Sequence, residues 1–99
     1  MTQIRVVRYT TTPEARDENA ELVSRVYAAL AETQPDGLRY ATLLLAEENA
    51  FVHLAIHDGE DNPLTRLPAF IDFQRGLGTR VVAAPGTGFA DVVGSYRLL

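Results

Sequence analysis

The 99-residue chain predicts an α+β fold of the ferredoxin-like type, a four-stranded antiparallel sheet with two helices on one face. Three observations carry that expectation. Residues 38–58 read as two apolar strands joined at the polar triplet Glu47-Glu48-Asn49. A strand-like stretch and a long helical stretch precede this hairpin, and a shorter helix and another strand-like stretch follow it. The order β-α-β-β-α-β contains two halves whose right-handed crossovers bring both helices to the same face. One domain, residues 1–99, accounts for the whole length.

Residues 3–11, Gln-Ile-Arg-Val-Val-Arg-Tyr-Thr-Thr, form the first strand. Ile4, Val6 and Arg8 share one face; Arg5, Val7 and Tyr9 share the other. A helix over 13–33 follows. Thr12 is its N-cap, and Pro13 takes the first helical position, where a missing N–H is no loss. Glu14, Asp17 and Glu18 suit the positive end of the helix dipole. Val23, Val26 and Leu30 make the apolar stripe, flanked by Leu22 and Tyr27. Asn19 lies one turn before Val23 on that stripe, so its amide needs a hydrogen-bonding partner.

Pro35-Asp36-Gly37 stops the helix before the hairpin strands, 38–46 and 50–58. A two-residue turn on Glu47-Glu48 or on Glu48-Asn49 puts Tyr40, Thr42, His53 and His57 on one face. The other face is aliphatic apart from Arg39 and reads as a plain core face. The face with the polar groups is mostly apolar and is expected to be covered too, which in so short a chain calls for a partner subunit. His57, near the strand end, is expected to be exposed. After the break at 59–63, where Asp61 or Asn62 can cap a short turn, Leu67, Phe70, Ile71, Phe73, Gln74 and Leu77 space a second helix over 66–78. Residues 81–88 read as a loop with 85–88 its flexible tip, and 89–98 as the last strand. The first strand belongs between the third and the fourth.

Composition removes several kinds of chemistry. The chain has no Cys, hence no disulfide, thiolate nucleophile or Cys-bound metal. All nine basic residues are Arg, which excludes Schiff-base catalysis and a phosphate-loop lysine. A net charge of −4 with interspersed signs argues against nucleic acid as a partner. No apolar run nears the roughly 20 residues of a membrane span. The N-terminus lacks a signal-peptide layout, so a cytoplasmic location is expected.

Four residues stand out as site candidates. His53, mid-strand among apolar neighbours, can serve as a general base or substrate hydrogen-bond donor, or be a satisfied interior histidine. Tyr40 shares its face and can donate through its hydroxyl, or fill a dimer seam. Asn19 can point into a pocket between the first helix and the sheet, or bond nearby backbone. Arg8, with Arg97 on the strand expected beside it, can bind an anionic ligand or pair at a strand end. His53 and His57 alone make no metal site, so neither metal nor other cofactor is expected. Ser24 and Ser95 lack the surroundings of a hydrolase triad.

Several stretches together resemble one superfamily. They are Val-Val-Arg-Tyr before Thr-Pro, the helix with Glu18-Asn19 and Val23, Gly37-Leu38-Arg39-Tyr40, Phe51-Val52-His53, the Phe70 and Phe73 helix, and the closing Val93-Gly94-Ser95-Tyr96. Across nearly its whole length the chain resembles the dimeric α+β barrel superfamily, and within it the antibiotic-biosynthesis-monooxygenase-like domains. The resemblance implies a homodimer through the sheet faces. Activities in that superfamily include cofactor-free oxygenation of aromatic polyketides, haem degradation and lactone isomerisation. The haem degraders use an Asn-Trp-His set, and this chain has no Trp. The expectation is a cofactor-free oxygenase or isomerase acting on an aromatic or quinone-like small molecule. The alternative is a non-catalytic dimer that binds a small hydrophobic ligand or serves as an accessory subunit. An apolar pocket with converging polar side chains favours the first, a filled interior the second.

Overall fold

Strands β1 (Thr2–Thr10), β2 (Leu38–Leu44), β3 (Ala50–Asp58) and β4 (Gly86–Phe89) form one antiparallel sheet in the order β2-β3-β1-β4. The structure is a computed structural model and describes residues 2–98. Helix α1 spans Arg16–Thr33, α2 Pro68–Arg75, and α3 is a last helical turn, Leu77–Arg80. This is the expected ferredoxin-like order, with β1 between β3 and β4. Among the described residues no helix is long and apolar enough to cross a membrane.

Local signals explain the boundaries. The Thr12 hydroxyl accepts from the Ala15 N–H, and a 3₁₀ turn at Pro13–Ala15 leads into α1. At the other end Gln34 adopts a left-handed conformation (φ 44°) and its N–H returns to the Leu30 carbonyl. Gly37 (φ 74°) then turns the chain into β2. The Asn62 side chain caps a second 3₁₀ turn, Pro63–Arg66, by accepting from the Leu64 N–H. The hairpin takes the register of a turn on Glu47-Glu48, with Thr42 opposite His53 and Tyr40 opposite Ala55.

The core lies between the helices and one sheet face. Val23 and Val26 of α1 and Phe73 of α2 pack with Tyr9, Phe51 and Ala55, beside Leu64 and Leu67. Burying a side chain such as Phe51 or Leu64 contributes about 2–3 kcal/mol.

Two expectations are reversed here. The helices cover the face with Tyr40, Thr42, His53 and His57, and leave the aliphatic face open: along β2 the side chains alternate, Tyr40 and Thr42 half-buried, Ala41 and Leu43 exposed. Tyr40, Thr42 and His53 can sit on the core side because they bond one another, and because the large rings of that face fill the space beneath the helices; His57 is the exception, its buried Nδ1 having no hydrogen-bond partner among the described residues. His57 is likewise buried, 4% exposed, since it lies on that face of a central strand, between Gln3 of β1 and Leu38 of β2.

The last strand is also displaced. Residues 86–89, read as a loop tip, pair with Arg8 to Arg5 of β1, and the tail 90–98 is not a strand. β4 runs toward the start of β1, and Ala90 donates to the Ile4 carbonyl. Only two β1 residues remain past that point, so most of the tail has no strand in its own chain to join. Its apolar side chains, which imitate a strand in the sequence, stand exposed: Val93 fully, Tyr96 and Leu98 by more than three quarters.

Candidate functional site

Three adjacent strands bring aromatic rings into a row on the helix face. Tyr9 of β1 and Tyr40 of β2 each lie diagonally across from His53 of β3, a separation that long side chains span. Tyr27 of α1, Tyr40, His53, Tyr9 and Phe51 stack in sequence, with centroids 5.2, 5.9, 5.3 and 5.6 Å apart and planes within 24° of parallel. Phe73 of α2 leans on His53 at 5.5 Å.

A chain of hydrogen bonds threads these rings. Arg80, 3% exposed, donates from Nε to Asn19 Oδ1 at 2.9 Å and from Nη2 to the Phe73 carbonyl at 2.7 Å. Asn19, fully buried, donates from Nδ2 to the Tyr9 hydroxyl at 2.9 Å. Tyr9 lies 2.7 Å from His53 Nε2, while Tyr40 and Thr42 lie 2.7 and 2.9 Å from Nδ1. Thr42 continues to the Tyr27 hydroxyl at 2.8 Å.

The direction of each bond follows from one end. A guanidinium can only donate, so Asn19 must turn its oxygen to Arg80 and its NH₂ to Tyr9. The buried Tyr9 proton then has His53 Nε2 as its acceptor. Nε2 is therefore unprotonated and the ring proton sits on Nδ1, shared toward Tyr40 and Thr42. Burial drives the His53 pKa down to about 4, so the ring is neutral at pH 7. Burial also drives Tyr9 up to about 12, against the opposing pull of Asn19 and the Arg80 charge, and raises Tyr40. Both phenols stay protonated, and a Tyr40 that accepts from Nδ1 keeps its own proton to donate.

Beside this network is a cavity of about 260 Å³. On the sheet side Val7, Ala55 and Thr87 are too small to fill it; on the helix side Phe70 and Phe73 cover it. Tyr40 and His53 reach its wall, and Arg5 borders it as well. The volume is near the lower end of ligand pockets and matches a compound of one or two fused rings.

His53, Tyr40 and Asn19 thus meet in one network, with His53 and Tyr40 at the cavity. Arg8 does not join them: it is on the opposite face, exposed, 3.9 Å from Glu48. Arg97 lies in the tail, not on a strand, over the Tyr96 ring. Tyr9, Arg80 and Arg5 were not among the sequence candidates. Tyr9 and Arg5 share β1 parity with Val7, a signal available in the sequence. Arg80 had none, since it reaches Asn19 only through the fold. Among the described residues no three His, Cys, Asp or Glu side chains gather as a metal site.

No protein-family model and no curated protein matches the chain. Solved structures do. Rv0793 from Mycobacterium tuberculosis superposes with a TM-score of 0.73 at 15% identity, covering 96% of this chain and 98% of that one. SnoaB, a cofactor-independent oxygenase from Streptomyces nogalater, gives 0.70 at 20% identity, covering 97% of each. A structure described as an antibiotic biosynthesis monooxygenase gives 0.68 at 17% identity, covering 95% and 100%. At these identities the likeness establishes the fold, that of the antibiotic biosynthesis monooxygenases.

Proposed function

We propose that the chain is a cofactor-independent oxygenase for a small planar phenol, working as a homodimer. The observation that carries this is the apolar cavity bordered by Tyr40, whose O–H is oriented by a neutral His53. The reaction class is conversion of a phenol to a quinone. One atom of O₂ enters a ring carbon as a carbonyl, the other leaves as water with two substrate hydrogens, and the substrate supplies all four electrons. For 1-naphthol this reads C₁₀H₈O + O₂ → C₁₀H₆O₂ + H₂O. The phenol must first lose its proton, which it gives up to water, so that the substrate is held as the phenolate. Tyr40 stabilises the resulting oxyanion by donating to it, a preorganised bond in a site of low polarity. His53 is not the base, because Nε2 is occupied by Tyr9 and burial weakens the ring as a proton acceptor; it positions Tyr40.

The open sheet face supports self-association. Leu43, 59% exposed, shares it with Val6, Val52 and Leu54, and both helices are on the other side. A second copy covers this patch and offers strands to the exposed tail.

One observation favours the alternative of a non-catalytic binding protein: both nitrogens of His53 are engaged by protein hydroxyls, leaving the cavity no free base. Oxygen uptake with 1-naphthol separates the two. The oxygenase reading expects naphthoquinone formation that Tyr40→Phe slows at least tenfold. A raised melting temperature without oxygen uptake selects the binding protein. Neither effect, across a panel of one- and two-ring phenols, would overturn the assignment of the cavity as a ligand site.

A further inference from the structure

The charge around the cavity has one sign. Of the side chains that border it, Arg5 alone is charged, and no Asp or Glu is among them. Arg5 makes no ion pair among the described residues; its guanidinium lies 5.9 Å from the centroid of the Phe89 ring. A second cation stands behind the wall. Arg80 is buried with its guanidinium 5.4 Å from the centroid of Phe73, a ring that borders the cavity. Its partners, Asn19 and the Phe73 carbonyl, are neutral. Elsewhere the chain is acidic, with a net charge of −4. Among the described residues, one guanidinium without an ion pair therefore borders the cavity and a second stands behind its Phe73 wall, in a protein of net negative charge.

We propose that the cavity selects aromatic compounds that carry an anionic oxygen, a ring carboxylate or an ionised phenol, with the anionic group above Ala55, between Arg5 and Tyr40, and the ring plane between Phe70 and the sheet. Arg5 is placed for this by register. It lies opposite Ala55 on one side and Phe89 on the other. Ala55 is too short to cover the guanidinium, and Phe89 flanks it without neutralising it. The guanidinium fork suits a carboxylate in two-point contact, and a phenolate in one. The proposal rests on the cavity being the ligand site and adds the charge of what it takes.

Binding of 2-naphthoate and 2-naphthamide, two ligands of equal shape, tests it by titration calorimetry on the full chain. Phenolate capture is read from the same titration with 2-naphthol below and above its ionisation. Arg8→Gln is the control, since it removes the same charge from the same strand on the opposite face. The expected result is naphthoate tighter than naphthamide by about fivefold in low salt, a preference that shrinks as salt is added. Arg5→Gln abolishes the preference and Arg8→Gln retains it. Equal binding of both compounds overturns the charge selection and leaves the cavity as a ligand site. Equal losses in Arg5→Gln and Arg8→Gln overturn it too, by reducing the effect to net charge. Failure of every compound to bind overturns both this inference and the ligand site beneath it. Preference for naphthoate without preference for ionised naphthol narrows the class to carboxylates.

Discussion

Replacing His53 by Gln tests whether burial holds the imidazole neutral. The ring's pKa falls from 6.5 to about 4 because a charged imidazolium under the helices loses its water. That difference corresponds to about 3 kcal/mol between the two protonation states. The sign follows from proton uptake. As pH falls from 6.5 the unfolded chain binds this proton first, so the folded state loses ground. Stability is therefore at its full value above about pH 6.5 and declines as the pH approaches 4. Glutamine keeps a donor and an acceptor at the position but does not titrate. Urea unfolding of both proteins at pH 7.5, 6.0, 5.0 and 4.5 yields the difference in unfolding free energy at each pH. His57 and the carboxylates are common to both proteins and cancel. The native protein should lose about 2–3 kcal/mol more than His53→Gln between pH 7.5 and 4.5. Parallel curves, or a native protein that gains on the variant as pH falls, would refute a buried neutral His53.

Arg80→Met should lower unfolding free energy by about 3 kcal/mol, because Asn19 Oδ1 and the Phe73 carbonyl lose their donor; urea denaturation reads it, and a change under 1 kcal/mol would remove Arg80 from the network. Gly76→Ala should cost about 1–2 kcal/mol, since a Cβ there comes within 2.7 Å of Arg80 Nη1, on a side chain pinned by its own hydrogen bonds. The Gly76 φ of −99° suits any residue, so Arg80→Met should largely rescue Gly76→Ala, and additivity of the two would contradict the steric reason. Leu54→Asp, on the open sheet face, should halve the mass seen by light scattering toward the 10.9 kDa of one chain while leaving the circular dichroism of the fold unchanged; an unchanged mass places self-association elsewhere.

What the sequence disclosed, and what it did not, divides by the range of the interactions. Thr12 with Pro13, and the Pro35-Asp36-Gly37 stop, act within a few residues: the first pair opens a 3₁₀ turn, so that α1 proper begins three residues later than the cap indicates, at Arg16, and α1 ends at Thr33, before the stop. The hairpin register follows from turn geometry, and it sets Thr42 opposite His53 and Tyr40 on the same face. Which face the helices cover is not legible in the sequence, because alternation separates faces without ranking them: Leu43, Val52 and Leu54 look more like a core than Tyr40, Thr42 and His53. The aromatic face wins because Tyr9, Tyr40, Thr42 and His53 bond one another and its rings stack, which outweighs the buried His57 Nδ1 that has no hydrogen-bond partner among the described residues. Asn19 announced itself as an amide on an apolar stripe, and it is fully buried. Its partner Arg80 lies 61 residues away and carried no local sign. The final strand failed for a topological reason. Val92, Val93 and Tyr96 have the composition of a strand, but β1 runs out before they could pair with it, while Gly86 and Gly88 are accepted in an edge strand that packs little.

The protonation pattern of His53 tests the centre of this account most directly. With the ring ¹⁵N-labelled, nitrogen NMR distinguishes a bare ring nitrogen from one that carries hydrogen. At pH 7 Nε2 should give the signal of a bare nitrogen and Nδ1 that of a protonated one, and both should hold as the pH is lowered to 5. That is the pattern imposed by Arg80 through Asn19 and Tyr9, and it leaves the Tyr40 proton free to reach a ligand. A proton on Nε2, or a doubly protonated ring at pH 6, would contradict it.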